Sequence, residues 1–144
     1  MIVVDVNLLL YAQDSTSTHH LAAKVWVDQV FSGHETVGLP WLSVWAFLRI
    51  STNRRIYAAP LSMEQAISVV EEWLALPQVQ LVEPGGKHWQ LLKDMLLKGQ
   101  VRGPESTDAQ LAAITIEHSG VLHTTDRGFA RFPGLRWLNP LEIV

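Results

Sequence analysis

Residues 2–5 read IVVD, a short β-branched run that ends in an aspartate. A run without alternating polar residues suits a strand that is buried on both faces, as in a parallel sheet. Further short apolar runs occur at residues 36–39, 79–82 and 121–124, and residues 135–138 can add an edge strand. These runs predict a sheet whose strands are distributed along the whole chain.

Segments with helical periodicity separate the predicted strands, at about residues 19–31, 41–52, 62–76, 88–98 and 107–118. Two of them have the spacing of a capping box, Ser62 with Gln65 and Thr107 with Gln110. The segment at 41–52, WLSVWAFLRIST, has little polar character, and we expect it to be buried. Strands separated by helices require parallel crossovers, so we predict a three-layer α/β/α sandwich with a central parallel sheet of four to five strands.

Length and composition exclude several classes of protein and of functional site. The length of 144 residues predicts one domain, 1–144. The formal charge of −3 excludes a strongly basic nucleic-acid sleeve, although it permits a local basic patch. Because the chain has no cysteine, disulfides, thiolate zinc sites, cysteine nucleophiles and iron–sulfur clusters are excluded. With neither a signal-peptide pattern nor a spanning segment, we expect a soluble, cytoplasmic protein with no membrane contact.

Three aspartates occupy informative positions. Asp5 ends the first predicted strand, Asp126 follows the fourth, and Asp108 lies in the first turn of the helix before the fourth strand. Ligands of open α/β sheets bind beyond the carboxyl ends of the strands, where the strand order reverses. If the first and fourth strands are neighbours, Asp5 and Asp126 face one crevice, which Asp108 reaches if its helix begins there.

Carboxylates that share a crevice repel one another, and a divalent cation relieves that repulsion. Oxygen ligands favour Mg²⁺ or Mn²⁺, which lower the pKa of a bound water and hold a phosphodiester for in-line attack. Taken singly, each acid has a simpler interpretation. Asp5 and Asp126 can cap the helices that follow them, and Asp108 can interact favourably with its helix dipole.

Three stretches carry a family resemblance: VVDVNLLLYA (3–12), TDAQLAAITIEHSG (107–120) and VLHTTDRGFARFPGLRW (121–137). They resemble the PIN-domain nucleases and, more narrowly, the VapC-type toxins of bacterial toxin–antitoxin pairs. The resemblance implies a PIN-like fold and a divalent-metal-dependent endoribonuclease. It also implies a homodimer and an antitoxin that covers the acidic crevice or a neighbouring apolar groove. By position, Asp5, Asp108 and Asp126 match the family's catalytic metal-site acids, and Asn7 with Thr124 or Thr125 matches their polar neighbours.

The sequence departs from the family at one position. The family usually places a glutamate in the helix after the second strand, where this chain has Trp45 or Ala46. No carboxylate occurs between Glu35 and Glu64, so we expect weaker binding of one metal ion. Glu105, three residues before Asp108, is a candidate substitute; otherwise it is an exposed loop acid.

Basic and aromatic residues give less decisive signals. Six arginines form two sequence clusters that hold RNA phosphates, form a solvated surface or pair with acids: Arg49, Arg54, Arg55, Arg127, Arg131 and Arg136. Arg49 can alternatively pair with a site acid. The spacing of the six tryptophans favours core or subunit-interface positions over base stacking. The six histidines show no metal-binding spacing and are interpreted as structural or surface residues.

These observations lead to one main hypothesis and two alternatives. The main hypothesis is a Mg²⁺- or Mn²⁺-dependent endoribonuclease that is the toxin of a toxin–antitoxin pair. The first alternative is a catalytically weakened PIN domain that binds RNA or an antitoxin, motivated by the missing glutamate. The second is a small phosphohydrolase, which the sequence disfavours because Asn7 stands where a D-x-D motif needs its second aspartate.

Overall fold

Five parallel strands form one sheet in the computed structural model, which describes residues 1–142. The strands are β1 (Ile2–Val4), β2 (Val37–Pro40), β3 (Val79–Val82), β4 (Val121–His123) and β5 (Trp137–Leu138). Their spatial order is β3-β2-β1-β4-β5, and every neighbouring pair is parallel. The predicted α/β class with a central parallel sheet is therefore confirmed. The predicted domain span of 1–144 extends two residues beyond the described range.

Helices cover both faces of the sheet. They are α1 (Val6–Gln13), α2 (His20–Phe31), α3 (Trp41–Ser51), α4 (Met63–Leu74), α5 (His88–Lys98) and α6 (Ser106–Glu117), with short 3-10 helices at Gly103–Glu105 and Arg127–Arg131. No helix within residues 1–142 is both long and apolar enough to cross a membrane.

The sheet separates two apolar cores. Ile2 and Val4 of β1 pack into the core formed with helices α1 to α4, whereas Val3 packs into the core formed with α5 and α6. Alternate residues of one strand thus point into opposite layers, because successive side chains of a strand point to opposite faces. Both faces of β1 are buried, which explains why its sequence shows no polar alternation.

The strand order reverses between β1 and β4. The chain continues from β1 to β2 and β3 on one side, and β4 and β5 lie on the other. The register pairs Ile2 with Val121 and Val4 with His123, so the two strands end side by side. The expectation that the first and fourth strands are neighbours is confirmed, and a crevice at their carboxyl ends follows from this topology.

Two local expectations were wrong. Sequence analysis assigned no helix to residues 6–13, yet α1 begins directly after Asp5, whose side chain accepts a hydrogen bond from Val6 N. Thr107 is not a helix cap: α6 begins at Ser106 and has no side-chain cap bond, because the 3-10 turn Gly103–Glu105 runs directly into it.

The interpretation of the segment at 41–52 as a buried helix was also wrong in part. One face of α3 is buried, but Trp45 is 62% exposed and Arg49 is exposed as well. A helix at the outer layer of a sandwich has one side that no other element covers, and apolar composition alone does not identify that side.

The capping box at the start of α4 provides a stability prediction. Ser62 accepts a hydrogen bond from Gln65 N, and the Gln65 side chain accepts one from Ser62 N. Replacing Ser62 with Ala should lower the free energy of unfolding by about 1 kcal/mol, since Gln65 N loses the hydroxyl that accepts its hydrogen bond. Urea unfolding measures this effect.

The matched control is Thr107→Ala, which removes the hydroxyl that the sequence pattern assigned to a cap. Because α6 has no side-chain cap bond, this variant should unfold within about 0.5 kcal/mol of the wild type. Equal losses in the two variants would contradict the assignment of the cap.

Candidate functional site

Asp5 lies at the carboxyl end of β1 and is only 9% exposed. Its Oδ1 accepts a hydrogen bond from Val6 N at 2.7 Å, which caps α1, and its Oδ2 accepts one from the Thr124 hydroxyl at 2.6 Å. The prediction that Asp5 caps the helix after it is therefore confirmed. The cap uses one carboxylate oxygen and fixes the orientation of the other.

The Thr124 hydroxyl joins the ends of β1 and β4. The side chain is fully buried. Its Oγ1 donates to Asp5 Oδ2 and accepts hydrogen bonds from Asp126 N at 3.0 Å and from Asn7 Nδ2 at 3.4 Å. The hydrogen bonds of this junction run through Thr124, whereas Thr125 is half-buried beside it. Two segments that are distant along the chain, one with Asp5 and Asn7 and the other with Thr124 and Asp126, are thereby held at one point.

Asp126 and Asp108 complete the acidic side of the crevice. Asp126 is exposed, and its Oδ1 accepts a hydrogen bond from Gly128 N at 2.8 Å, so it caps the 3-10 helix Arg127–Arg131. Asp108 is half-buried in the first turn of α6. No ion pair within residues 1–142 involves Asp5, Asp108 or Asp126.

The electrostatics show that the three carboxylates share one environment. The pKa of the Asp5 carboxyl is raised to about 6, mainly by burial and to a smaller extent by the charges of Asp108 and Asp126, while the hydrogen bonds from Thr124 and Val6 oppose the rise. Burial also raises the pKa of Asp108, helped by the charges of Asp126 and Glu105 and opposed by Arg131. We therefore define the acidic crevice as the site formed by Asp5, Asp108 and Asp126.

An unsatisfied oxygen lies beside the buried carboxylate. Asn7 Oδ1 is buried and has no hydrogen-bond partner, whereas the amide nitrogen of the same side chain bonds to Thr124. A buried acceptor without a donor is costly, and native proteins usually satisfy it with water or an ion. This oxygen and the buried Asp5 carboxylate, which has no ion-pair partner among residues 1–142, fit a hydrated cation in the crevice.

The carboxylates do not form a complete ligand set by themselves. Within residues 1–142, no group of three or more Asp, Glu or His side chains is spaced to hold a metal ion directly. Mg²⁺ commonly binds proteins through one or two carboxylates and keeps several waters. The arrangement therefore suits an ion that is held partly through water, and does not suit a fully protein-ligated ion.

Glu105, the candidate for the missing glutamate, forms an ion pair with Arg131. Arg131 is fixed at the same time by Gly99 O, which accepts from its Nε at 2.8 Å, and by Gln100 O, which accepts from its Nη2 at 3.2 Å. The Glu105 carboxylate is thus engaged before any ion arrives, and its role as a substitute ligand stays a prediction.

The start of α3 borders the crevice, and sequence analysis missed the residue that anchors it. The Ser43 hydroxyl is buried and donates to Val4 O at 2.9 Å, which ties the first turn of α3 to the end of β1. The one polar residue within WLSVWAFL was the available signal. At the position of the usual family glutamate, Trp45 is exposed and Ala46 is half-buried.

The two arginine clusters differ in their surroundings. In the second cluster, Arg127 pairs with Glu142 and Arg136 donates to Ser119 O, so both have protein partners, as Arg131 does. Arg49 is exposed at the end of α3 and forms no ion pair within residues 1–142, so its alternative role as a partner of a site acid is not observed there.

Comparison with known families and proteins agrees with the geometry. The family model of the PIN domain matches residues 2–135. Ribonuclease VapC33 of Mycobacterium tuberculosis is 40% identical over 142 residues, which cover 99% of each chain. Ribonuclease VapC37 of the same species is 39% identical over 144 residues, all of both chains.

Solved structures share the fold. VapBC2 from Rickettsia felis, bound to a DNA fragment from its promoter, has a TM-score of 0.70 at 16% identity and covers 96% of this chain and 98% of that one. VapC20 of Mycobacterium tuberculosis, a Sarcin-Ricin loop cleaving toxin, has a TM-score of 0.67 at 16% identity and covers 94% and 99%. At these identities the likeness establishes the architecture alone.

The raised pKa of Asp5 leads to a prediction about stability and pH in metal-free buffer. Burial disfavours the ionised carboxylate in the folded state, so the folded protein loses stability as pH rises from about 4 through the folded pKa of about 6. Asp5→Asn removes this penalty, and its side-chain oxygen can still accept the hydrogen bond from Val6 N. We expect the variant to be more stable than the wild type by about 1–3 kcal/mol at about pH 8, with no gain at about pH 4.

Urea unfolding in the presence of EDTA across this pH range measures the difference. Asp28→Asn is the control, because that carboxylate lies on the exposed face of α2; its effect on stability should show no rise between the two pH values. An Asp5→Asn protein that is less stable than the wild type at high pH would show that the buried charge is not penalised.

Proposed function

The chain belongs to the PIN domain family and, within it, to the VapC ribonucleases, and from this membership we propose that it is a metal-dependent endoribonuclease acting as the toxin of a toxin–antitoxin pair. The observation that carries the proposal is the buried Asp5 carboxylate, which shares the acidic crevice with Asp108 and Asp126 and forms no ion pair within residues 1–142. A fold that only needed a cap for α1 could use serine or asparagine and avoid the cost of a buried charge.

The proposed cofactor is Mg²⁺, and Mn²⁺ should substitute for it. Asp5, Asp108 and Asp126 would hold the ion, directly or through waters, and the unpaired Asn7 Oδ1 would accept a hydrogen bond from one of those waters. When bound, such an ion supplies a water of lowered pKa and positive charge against the phosphodiester.

The residues of the chain contribute orientation and charge. Thr124 holds the Asp5 carboxylate in a single orientation, which lowers the cost of ordering the site at each turnover. Asp126 is exposed, and in this proposal it would accept a hydrogen bond from a water that approaches the substrate. Arg49 is exposed and can neutralise a phosphate of the bound RNA.

The alternative function, an RNA- or antitoxin-binding PIN domain with weakened catalysis, rests on one specific observation. α3 carries Trp45 and Ala46 where the family usually has a glutamate, and no group of three acids within residues 1–142 is spaced to hold an ion. Glu105, the only candidate substitute from sequence analysis, already pairs with Arg131. The two functions differ in whether turnover recovers when the metal concentration is raised.

The remaining parts of the proposal concern partners and setting. We propose that a cognate antitoxin blocks the crevice or a neighbouring apolar groove, and that residues 1–144 form one domain that assembles as a homodimer. The proposed substrate is RNA, and the proposed site of action is the cytoplasm. The relatives named above are ribonucleases of the same length, and this agrees with a single nuclease domain.

RNA cleavage with defined metals tests the proposal. The wild type should cleave RNA in Mg²⁺ or Mn²⁺ and should stop in EDTA. Asp5→Asn and Asp126→Asn should each reduce kcat/KM by on the order of 100-fold, as expected for groups that position a metal or its waters. Asp28→Asn, on the exposed face of α2, is the matched control and should cleave at the wild-type rate.

A titration with Mn²⁺ separates the main proposal from its alternative. Cleavage that appears or rises at high Mn²⁺ indicates an enzyme with a weakened metal site. RNA binding without turnover at every metal concentration indicates a binding module. Wild-type cleavage that persists undiminished in Asp5→Asn would remove Asp5 from the mechanism.

A further inference from the structure

Trp41 and Trp45 form an aromatic pair on the surface of α3. They lie one helical turn apart, their ring centroids are 6.1 Å from each other, and the rings are tilted by 31°. Trp45 is 62% exposed and Trp41 is half-buried behind it. By contrast, Trp26 and Trp73 are buried in the core, where they fulfil the packing role that sequence analysis expected of the tryptophans.

The pair lies on the helix whose first turn borders the acidic crevice. α3 begins directly after β2, and the Ser43 hydroxyl bonds to Val4 O, one residue before Asp5. Leu42, between Trp41 and Ser43, packs against the core that contains Ala109, the neighbour of Asp108. The first turn of α3 is thus bonded to the strand that carries Asp5 and packs against the core to which the helix carrying Asp108 contributes.

The surroundings of the pair are basic. The charged side chains between residues 36 and 63 are all arginines, namely Arg49, Arg54 and Arg55. No carboxylate occurs in this stretch, although the chain as a whole has a negative net charge. Arg49 lies one turn beyond Trp45 on the same exposed side of α3, and forms no ion pair within residues 1–142. An exposed aromatic ring beside an uncompensated cation is the combination with which proteins hold single-stranded nucleic acid.

We propose that Trp45, supported from behind by Trp41, stacks an unpaired base of the RNA strand next to the phosphodiester that enters the acidic crevice. This inference rests on the proposed nuclease function and adds the contact that positions the strand. The ring binds the face of the base, and Arg49 binds a phosphate on the same strand. The occupant is single-stranded RNA, because the local charge is complementary to a polyanion and the ring lies on the helix whose first turn is bonded to the strand that carries Asp5.

Kinetics on a short single-stranded RNA test the contact. Trp45→Ala should lower kcat/KM by roughly 5- to 100-fold, mainly through a higher KM, as base–aromatic stacking predicts. Trp45→Phe keeps an aromatic face and should recover most of the loss. The exposure of Trp45 makes a folding defect in Trp45→Ala unexpected, and circular dichroism with urea unfolding checks this.

Trp89→Ala is the matched control. Trp89 is 66% exposed, much like Trp45, but it lies at the start of α5. The loop before α5 is held by the Glu117 carboxylate, which accepts hydrogen bonds from Gly85 N and Lys87 N. Glu117 is the last residue of α6, whereas Asp108 lies in the first turn of that helix. Loss of this indole should leave kcat/KM unchanged.

An abasic scan identifies the partner of the ring. Single abasic residues are moved across the cleavage site of the RNA, and each substrate is measured with the wild type and with Trp45→Ala. At one position the abasic residue should slow the wild type as much as the Trp45→Ala substitution does, and should slow the variant no further.

The outcomes distinguish this inference from the function on which it rests. If the wild type neither cleaves nor binds RNA, the proposed function fails and the stacking contact fails with it. If the wild type cleaves RNA and Trp45→Ala has the same kcat/KM, only the stacking contact is overturned. The same holds if the losses from the abasic residue and from Trp45→Ala are additive at every position of the scan. If Trp45→Ala loses activity because a homodimer dissociates, as size-exclusion chromatography would show, the ring is a subunit contact and the inference is wrong.

Discussion

The structure of the candidate site depends on one hydroxyl, that of Thr124. It donates to the Asp5 carboxylate at 2.6 Å and accepts from Asp126 N and Asn7 Nδ2, and so joins the ends of β1 and β4. A buried carboxylate needs such donors because desolvation otherwise favours its protonated form. The β1–β4 register brings residues that are more than one hundred positions apart within reach of this single side chain. The parallel sheet therefore provides the proximity, and the hydroxyl fixes the orientation.

The same burial gives the site its electrostatic character. Burial raises the pKa of the Asp5 carboxyl, and the neighbouring charges of Asp108 and Asp126 act in the same direction. No ion pair within residues 1–142 neutralises these three acids, whereas Glu105, three residues before Asp108, is paired with Arg131. A carboxylate that only stabilised the fold would be expected to have a cationic partner, as Glu105 does. The contrast supports the proposal that the crevice is completed by a cation, and it is consistent with ribonuclease relatives that span the same length.

Much of the architecture was predictable because its signals are local. The apolar strands β1 and β3, the capped helix α4 and the amphipathic helix α5 follow from burial and capping patterns within a few residues. The errors arose where a pattern had competing structural explanations. α1 was missed because only Asp5 separates its apolar residues from those of β1. Thr107 was mistaken for a cap because a preceding 3-10 turn had already begun the helix.

The sequence by itself determined the class of fold, the order of its elements and the three acids worth examining, because hydrophobic periodicity and strand-end acids are properties of short segments. The resemblance of three of its stretches to PIN-domain nucleases gave the family. Only the tertiary structure decided which threonine joins the strands, that Asn7 Oδ1 is unsatisfied, that Glu105 is already paired, and that Trp45 is exposed on the surface of α3. Each of these depends on contacts between distant segments, and such contacts exist only once the sheet has assembled and the helices have packed against it.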